Sequence, residues 1–149
     1  MIYTPNQPIR ALSWKEPFAS LMLRGKIETR TWSTKYRGWV LICASKAPYR
    51  QQQLDSIASP LQQIRMWHAL KVTEASNIEI FPGKAIAIGW LGACRKMDPS
   101  EEDRCFVDWH PGLYCHIYVH VHPIVHFDWK GSLGWKTLGE EDRAKIKLL

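Results

Sequence analysis

The stretch from Ile27 to Ser45 reads IETRTWSTKYRGWVLICAS and interleaves the cations Arg30, Lys35 and Arg37 with the rings of Trp32, Tyr36 and Trp39. A solvated strand uses charge without rings, and a core strand uses rings without charge. The mixture suits a surface that meets something flat and anionic, and nucleic acid or a nucleotide is the first candidate. On an extended strand Glu28, Arg30 and Trp32 share one face and Thr29 and Thr31 the other. Arg30 and Glu28 can hold the polar edges of a base or pair with each other. Trp32 and Tyr36 offer stacking faces, and Lys35 and Arg37 can reach phosphates. The competing structural reading is a Glu–Arg pair beside rings that seal a barrel, with Trp39 as core.

A second wall is suggested by SWKEPF, Ser13 to Phe18. Pro17 in the first helical turn leaves backbone N–H groups pointing outward, and Trp14 and Lys15 stand just before it. The same proline equally serves as plain strand-to-helix punctuation.

The chain that must position these residues has 149 of them, enough for one domain with a real core, so residues 1–149 are read as a single unit. Eight tryptophans and a formal charge of +6 favour an anionic partner, through steering rather than through a defined site. Residues 1–14 lack the apolar run of a signal peptide. The most apolar window, KAIAIGWLGAC, is about half the ~20 residues of a spanning helix. The expectation is a soluble, cytoplasmic protein that does not engage a membrane. Cys43, Cys94, Cys105 and Cys115 show no CxxC pairing and are read as free thiols.

The periodicity predicts a strand at IRALSW, then a helix over KEPFASLMLRG that turns Phe18, Leu21 and Met22 inward and stops at Gly25. Strands follow at KIETRTW and WVLICAS, separated by the turn YRGW. Pro48 to Lys71 reads as two helices divided at Ser59–Pro60. GKAIAIGWLGAC is a strand with a bulge or close approach at Gly89 or Gly92. Asp98 or Ser100 caps a short helix that exposes Glu101 and Glu102. GLYCHIYVHVHPIVHF is a strand interrupted at Pro123, KGSLGWKTL a short strand or turn, and GEEDRAKIKLL a closing helix. The class is α+β: a small mixed barrel with helices at its rim, elaborated between Pro48 and Phe81.

These motifs together resemble the ASCH domain family, a branch of the PUA-like barrels. Ser13, Pro17, Phe18, Ala19 and Ser20 match the family's opening, and Glu28, Arg30 and Trp32 its strand. Tyr36, Arg37 and Gly38 match its turn, and Ala44, Ser45 and Lys46 its closing Ala-Ser. The later GLYCHIYVHVHPI and KGSLGWKTL resemble its aromatic strand and its terminal Gly-x-x-Gly-x-Trp feature. Two departures stand beside the expected pocket. GKIETR is two residues shorter than the family's spacing, and Cys43 replaces its usual histidine.

The resemblance implies a PUA-like barrel whose cleft receives RNA or a modified nucleobase, with Trp14, Lys15, Pro17, Glu28, Arg30, Trp32, Tyr36, Arg37 and Ser45 as contacts. It also implies an alternative, a small amidohydrolase acting on N4-acetylcytidine-type nucleosides. A ribonuclease is a weaker third reading. For hydrolysis Lys26 and Thr29 would supply the base and hydroxyl, three residues apart as in the family, with Glu28 as the nearest acid. A lysine at the barrel mouth is expected to be dispensable for folding. His116, His120 and His122 fall on one face of HIYVHVH near Cys115 and His126. That spacing can ligate zinc, but an outward polar row is the simpler reading, so no metal and no cofactor are assigned.

Overall fold

The computed structural model describes residues 6–71 and 79–149. The elements run β1 (Ile9–Trp14), α1 (Phe18–Met22), β2 (Glu28–Arg30), β3 (Gly38–Ala44), α2 (Gln51–Ile57) and α3 (Pro60–Ala69). They continue with β4 (Lys84–Lys96), a 3-10 turn (Pro99–Glu101), α4 (Glu102–Cys105), β5 (Tyr114–Asp128), β6 (Lys136–Thr137) and α5 (Glu140–Ala144). All six strands form one curled half-barrel sheet in the order β2-β5-β4-β3-β1-β6. β1 and β3 are parallel and every other pair is antiparallel.

The middle of the sheet follows from hydropathy. β3 reads GWVLICA and is buried along its whole length, as a strand covered on both faces must be. Val40, Ile42 and Ala44 point into one apolar cluster with Trp14, Phe18, Leu21 and Met22. Trp39, Leu41 and Cys43 point into a second with Ile9, Ile88 and Ile124, the period-2 alternation of a strand. Trp39 is therefore core. Along β4 the pairing with β5 shifts register at Gly89 and again at Gly92. A Cβ on Gly89 would lie 3.0 Å from a Val121 methyl, so the glycine permits the close approach.

The ends of the sheet are closed by side chains. β2 and β6 are its two edges. Trp32, just past β2, meets Trp135, just before β6, edge to face at 5.9 Å, and Tyr36 meets Trp135 at 5.4 Å. Tyr36 is fixed by its hydroxyl, which donates to the Trp39 carbonyl at 2.8 Å. Gly38 has to be a glycine here. Its φ is +152°, and a Cβ would lie 2.8 Å from the Tyr36 hydroxyl. At the other end of the gap Arg30 Nη2 donates to the Ser13 carbonyl of β1 at 3.0 Å.

Four expectations change. The strand predicted over KIETRTW narrows to Glu28–Arg30, because Trp32 turns away to meet Trp135. β5 runs through Pro123 as one strand, absorbing the proline in a register shift against β4. Glu101 is buried rather than exposed, because Arg95 grips both its oxygens at 2.6 Å. The histidine row is split by the bulges: His116 is fully buried, while His120 sits exposed at φ +51°. The helix division at Ser59–Pro60 and the stop at Gly25, φ +86°, stand as predicted. The leader reading of residues 1–14 and the middle elaboration both fall partly outside the described residues. No described helix is long and apolar enough to cross a membrane.

If Trp135 bridges the two sheet edges, Trp135→Ala should lower unfolding free energy by about 2 kcal/mol, below the value for a fully buried tryptophan. Urea denaturation measures this, and an unchanged midpoint would mean the edges hold without it.

Candidate functional site

A cleft of about 630 Å³ opens between the β1–α1 corner, the edge strand β2, the α2 segment and the loop after α4. That volume suits a small organic ligand. Trp14, Lys15, Phe18 and Tyr49 form one wall, where the Tyr49 ring packs 5.2 Å from that of Phe18; Glu28 to Thr31 form the floor, and Asp108 and Trp109 complete the lining. The walls are rigid for local reasons. The Asp108 carboxylate accepts the Ser59 N–H at 3.0 Å, tying the α2–α3 junction to the loop. Trp109 is fixed twice: its backbone N–H donates to Glu102 at 2.6 Å and its indole N–H to the Met97 carbonyl at 3.0 Å.

Behind the floor lies a chain of charges. Glu28 is buried, with Lys26 Nζ 2.8 Å from Oε1 and Arg30 Nε 3.0 Å from Oε2. The Arg30 contact is one of charge, since its N–H is not aligned as a hydrogen bond. The Thr29 backbone N–H adds a bond to Oε1 at 3.1 Å. Burial pushes the Glu28 carboxyl up, but the Lys26 and Arg30 charges outweigh it and hold the group below the usual range. The Lys26 ammonium is wholly enclosed, 4.5 Å from the Phe18 ring and bonded to the Ile27 carbonyl at 3.2 Å. The Arg30 guanidinium lies over Trp14 at 4.9 Å.

The predicted contacts therefore divide. Trp14, Lys15, Glu28, Thr29 and Arg30 meet at the cleft. Trp32 and Tyr36 belong to the edge-closing aromatic group and are not among its lining residues. Arg37 turns back on the Thr34 and Tyr36 carbonyls at 2.9 and 2.8 Å. Ser45 gives its backbone N–H to the Trp14 carbonyl at 2.8 Å and supports the wall from behind. Pro17 is buried, and the helix start is already filled. The buried Glu16 carboxylate takes the Ser20 N–H and hydroxyl, each at 2.7 Å, and the Phe81 N–H at 3.2 Å.

Of the predicted catalytic group, Lys26 and Glu28 pair and Thr29 lines the cleft, meeting Glu28 through its backbone N–H; Lys26 stands behind the floor, buried and not at the mouth. It is thus a folding residue, contrary to expectation. Tyr49, Asp108, Trp109 and His110 were missed. The signal was DWHPG, a tryptophan and a histidine placed in a proline–glycine turn where a core has no need of them. Among the described residues no group of three His, Cys, Asp or Glu side chains is arranged to hold a metal. No protein-family model matches the chain, and no curated protein matches it.

Lys26→Ala should cost about 3 kcal/mol, the lower end for breaking a buried pair, because Glu28 keeps Arg30 and the Thr29 N–H. A denaturation midpoint equal to wild type would refute the buried ion pair. The acid limb gives a second check. A carboxyl whose folded pKa is depressed stabilises fully above its ordinary value of 4.5, and that stability is lost as pH falls through the folded value. Glu28 and Glu101, the latter held at about 2 by Arg95, both act in this sense. Glu16, raised by burial, acts oppositely: its contribution fades as pH rises above 4.5. Between pH 5 and about 2, Glu101→Gln should therefore lose stability less steeply than wild type; parallel curves would count against the assignment.

Proposed function

We propose that the protein is a PUA-like module related to the ASCH family that binds a nucleobase, carried on a nucleoside or on single-stranded RNA. The observation that carries this reading is the floor of the cleft, where Arg30 is held by Glu28 and Ser13 with its guanidinium over the Trp14 ring at 4.9 Å. A guanidinium so held presents a stacking plane and polar edge together, and a base offers both complements. Tyr49 and the exposed face of Trp109 supply further ring surface at the rim.

The charge balance favours the base over the phosphate. Lys15 and Arg30 face Glu28 and Asp108 within one cleft. Lys15 is the cation there that pairs with no carboxylate among the described residues; it lies 5.4 Å from the Tyr49 ring. One free lysine predicts a log–log salt slope for RNA no steeper than about −0.7, and a flat response for nucleosides.

A second reading, hydrolysis of an N4-acylated cytidine, draws support from Thr29 at the cleft with Lys26 and Glu28 adjoining. The same geometry limits it. Lys26 is ion-paired and Glu28 is a weakened base, so neither is poised to take a proton from Thr29.

Calorimetric titration with nucleosides and short RNAs tests both. Arg30→Ala should weaken binding at least about tenfold, the value of a stacked, desolvated contact, while Arg37→Ala should stay within about twofold. Equal losses would move the site to the YRG turn. Turnover of N4-acetylcytidine by wild type that disappears in Thr29→Ala would instead establish the enzyme.

A further inference from the structure

Of the eight tryptophans in the chain, Trp109 alone is exposed, at 39%. Trp39 and Trp90 pack against each other and Trp32 against Trp135, whereas Trp109 meets no ring and no cation among the described residues. It is nonetheless held in place. Its backbone N–H donates to Glu102 at 2.6 Å and its indole N–H to the Met97 carbonyl at 3.0 Å. The residue before it is tied twice to the α2–α3 junction. The Asp108 N–H donates to the Ile57 carbonyl at 2.9 Å, and its carboxylate accepts the Ser59 N–H at 3.0 Å. An indole fixed in this way has little freedom left to lose when a partner covers its face.

The surroundings of the ring say what that partner is. Trp109 lines the same cleft as Trp14 and Arg30, the floor assigned above to a base. At about 630 Å³ the cleft is in the range that takes a drug-sized ligand of several rings, more than one heterocycle fills. Beside Trp109 stand the carboxylates of Asp108 and Glu102, which disfavour a phosphate there and suit an uncharged ring. The cations of the cleft agree. Arg30 is paired with Glu28, and Lys15 has no carboxylate partner among the described residues, enough for one linking phosphate.

We propose that Trp109 is the platform for a second base, so that the cleft takes two neighbouring bases of a single strand rather than a lone nucleoside. The proposal rests on the nucleobase reading above and chooses between its two carriers.

The test titrates uridine, cytidine, adenosine and guanosine, their 3′- and 5′-monophosphates, and the dinucleoside monophosphates UpU, CpC, ApA and GpG. For the base that binds best, the dinucleoside monophosphate should bind at least about fivefold more tightly than either monophosphate, the lower end for one stacked base. Trp109→Leu, which keeps apolar bulk without a stacking plane, should erase that gain while nucleoside affinity stays within about twofold. Trp109→Phe, which keeps a ring, should retain part of the gain. A second base that adds nothing, or a gain equal in the two variants, overturns the platform and leaves the nucleobase reading standing. So does a parallel loss of nucleoside and dinucleotide binding in Trp109→Leu, which would place the indole against the first base. Absence of binding by every probe brings down both.

Discussion

A carboxylate enclosed at the start of an edge strand is the constraint around which this barrel is organised. Glu28 sits at the first position of β2, and burying its charge is tolerable only because Lys26 and Arg30 flank it at 2.8 and 3.0 Å. Replacing such a cluster with apolar residues is often neutral or favourable for stability, so its worth lies more in specificity. β2 makes only three residue pairs with β5, too few to set register by hydrophobic contact alone. A slip of one residue would turn Lys26, Glu28 and Arg30 together to the other face, taking Arg30 off the Ser13 carbonyl and Lys26 off the Phe18 ring. Those ties to other segments favour the observed register, which places Arg30 and Thr29 at the cleft.

The same constraint explains how the rings are shared out. Arg30, reaching across to the Ser13 carbonyl, closes one end of the gap between the sheet's edges. Trp32, Tyr36 and Trp135 close the other. Rings spent on closure have their faces covered by one another and by the Arg10 guanidinium, 4.3 Å above Tyr36. The aromatic surface at the cleft comes instead from Trp14, Tyr49 and Trp109, which belong to three different segments brought together only by the fold.

That division marks what could be read from the chain and what could not. Local patterns were legible: the buried β3, the glycine bulges of β4, the Ser59–Pro60 helix break and the Gly25 stop all act over a few residues. The Glu28–Arg30 contact was legible too, because i and i+2 share a face of a strand. Trp32 broke the same rule: a partner about a hundred residues away in sequence, Trp135, outweighed alternation and ended the strand early. Lys26 was misjudged because it follows the exposed turn glycine Gly25 in sequence, whereas its cover in space is the Phe18 ring. Asp108 and Trp109 were missed because their role depends on the α2 segment packing opposite them, a contact no spacing encodes.

The charge of the whole chain and the charge of its cleft carry different messages. A formal +6 draws an anionic molecule toward the surface from a distance, but over more than a Debye length, about 8 Å at physiological salt, that pull is screened. Within the cleft the cations are balanced by Glu28 and Asp108, and Arg30 has already spent its charge on the carboxylate that holds it. Discrimination there falls to ring faces and to donors and acceptors with fixed directions, which distinguish one heterocycle from another and respond little to salt. An attractive exterior with a neutral, directional interior is what the proposed nucleobase ligand would require, whether it arrives as part of a polyanion or in competition with one.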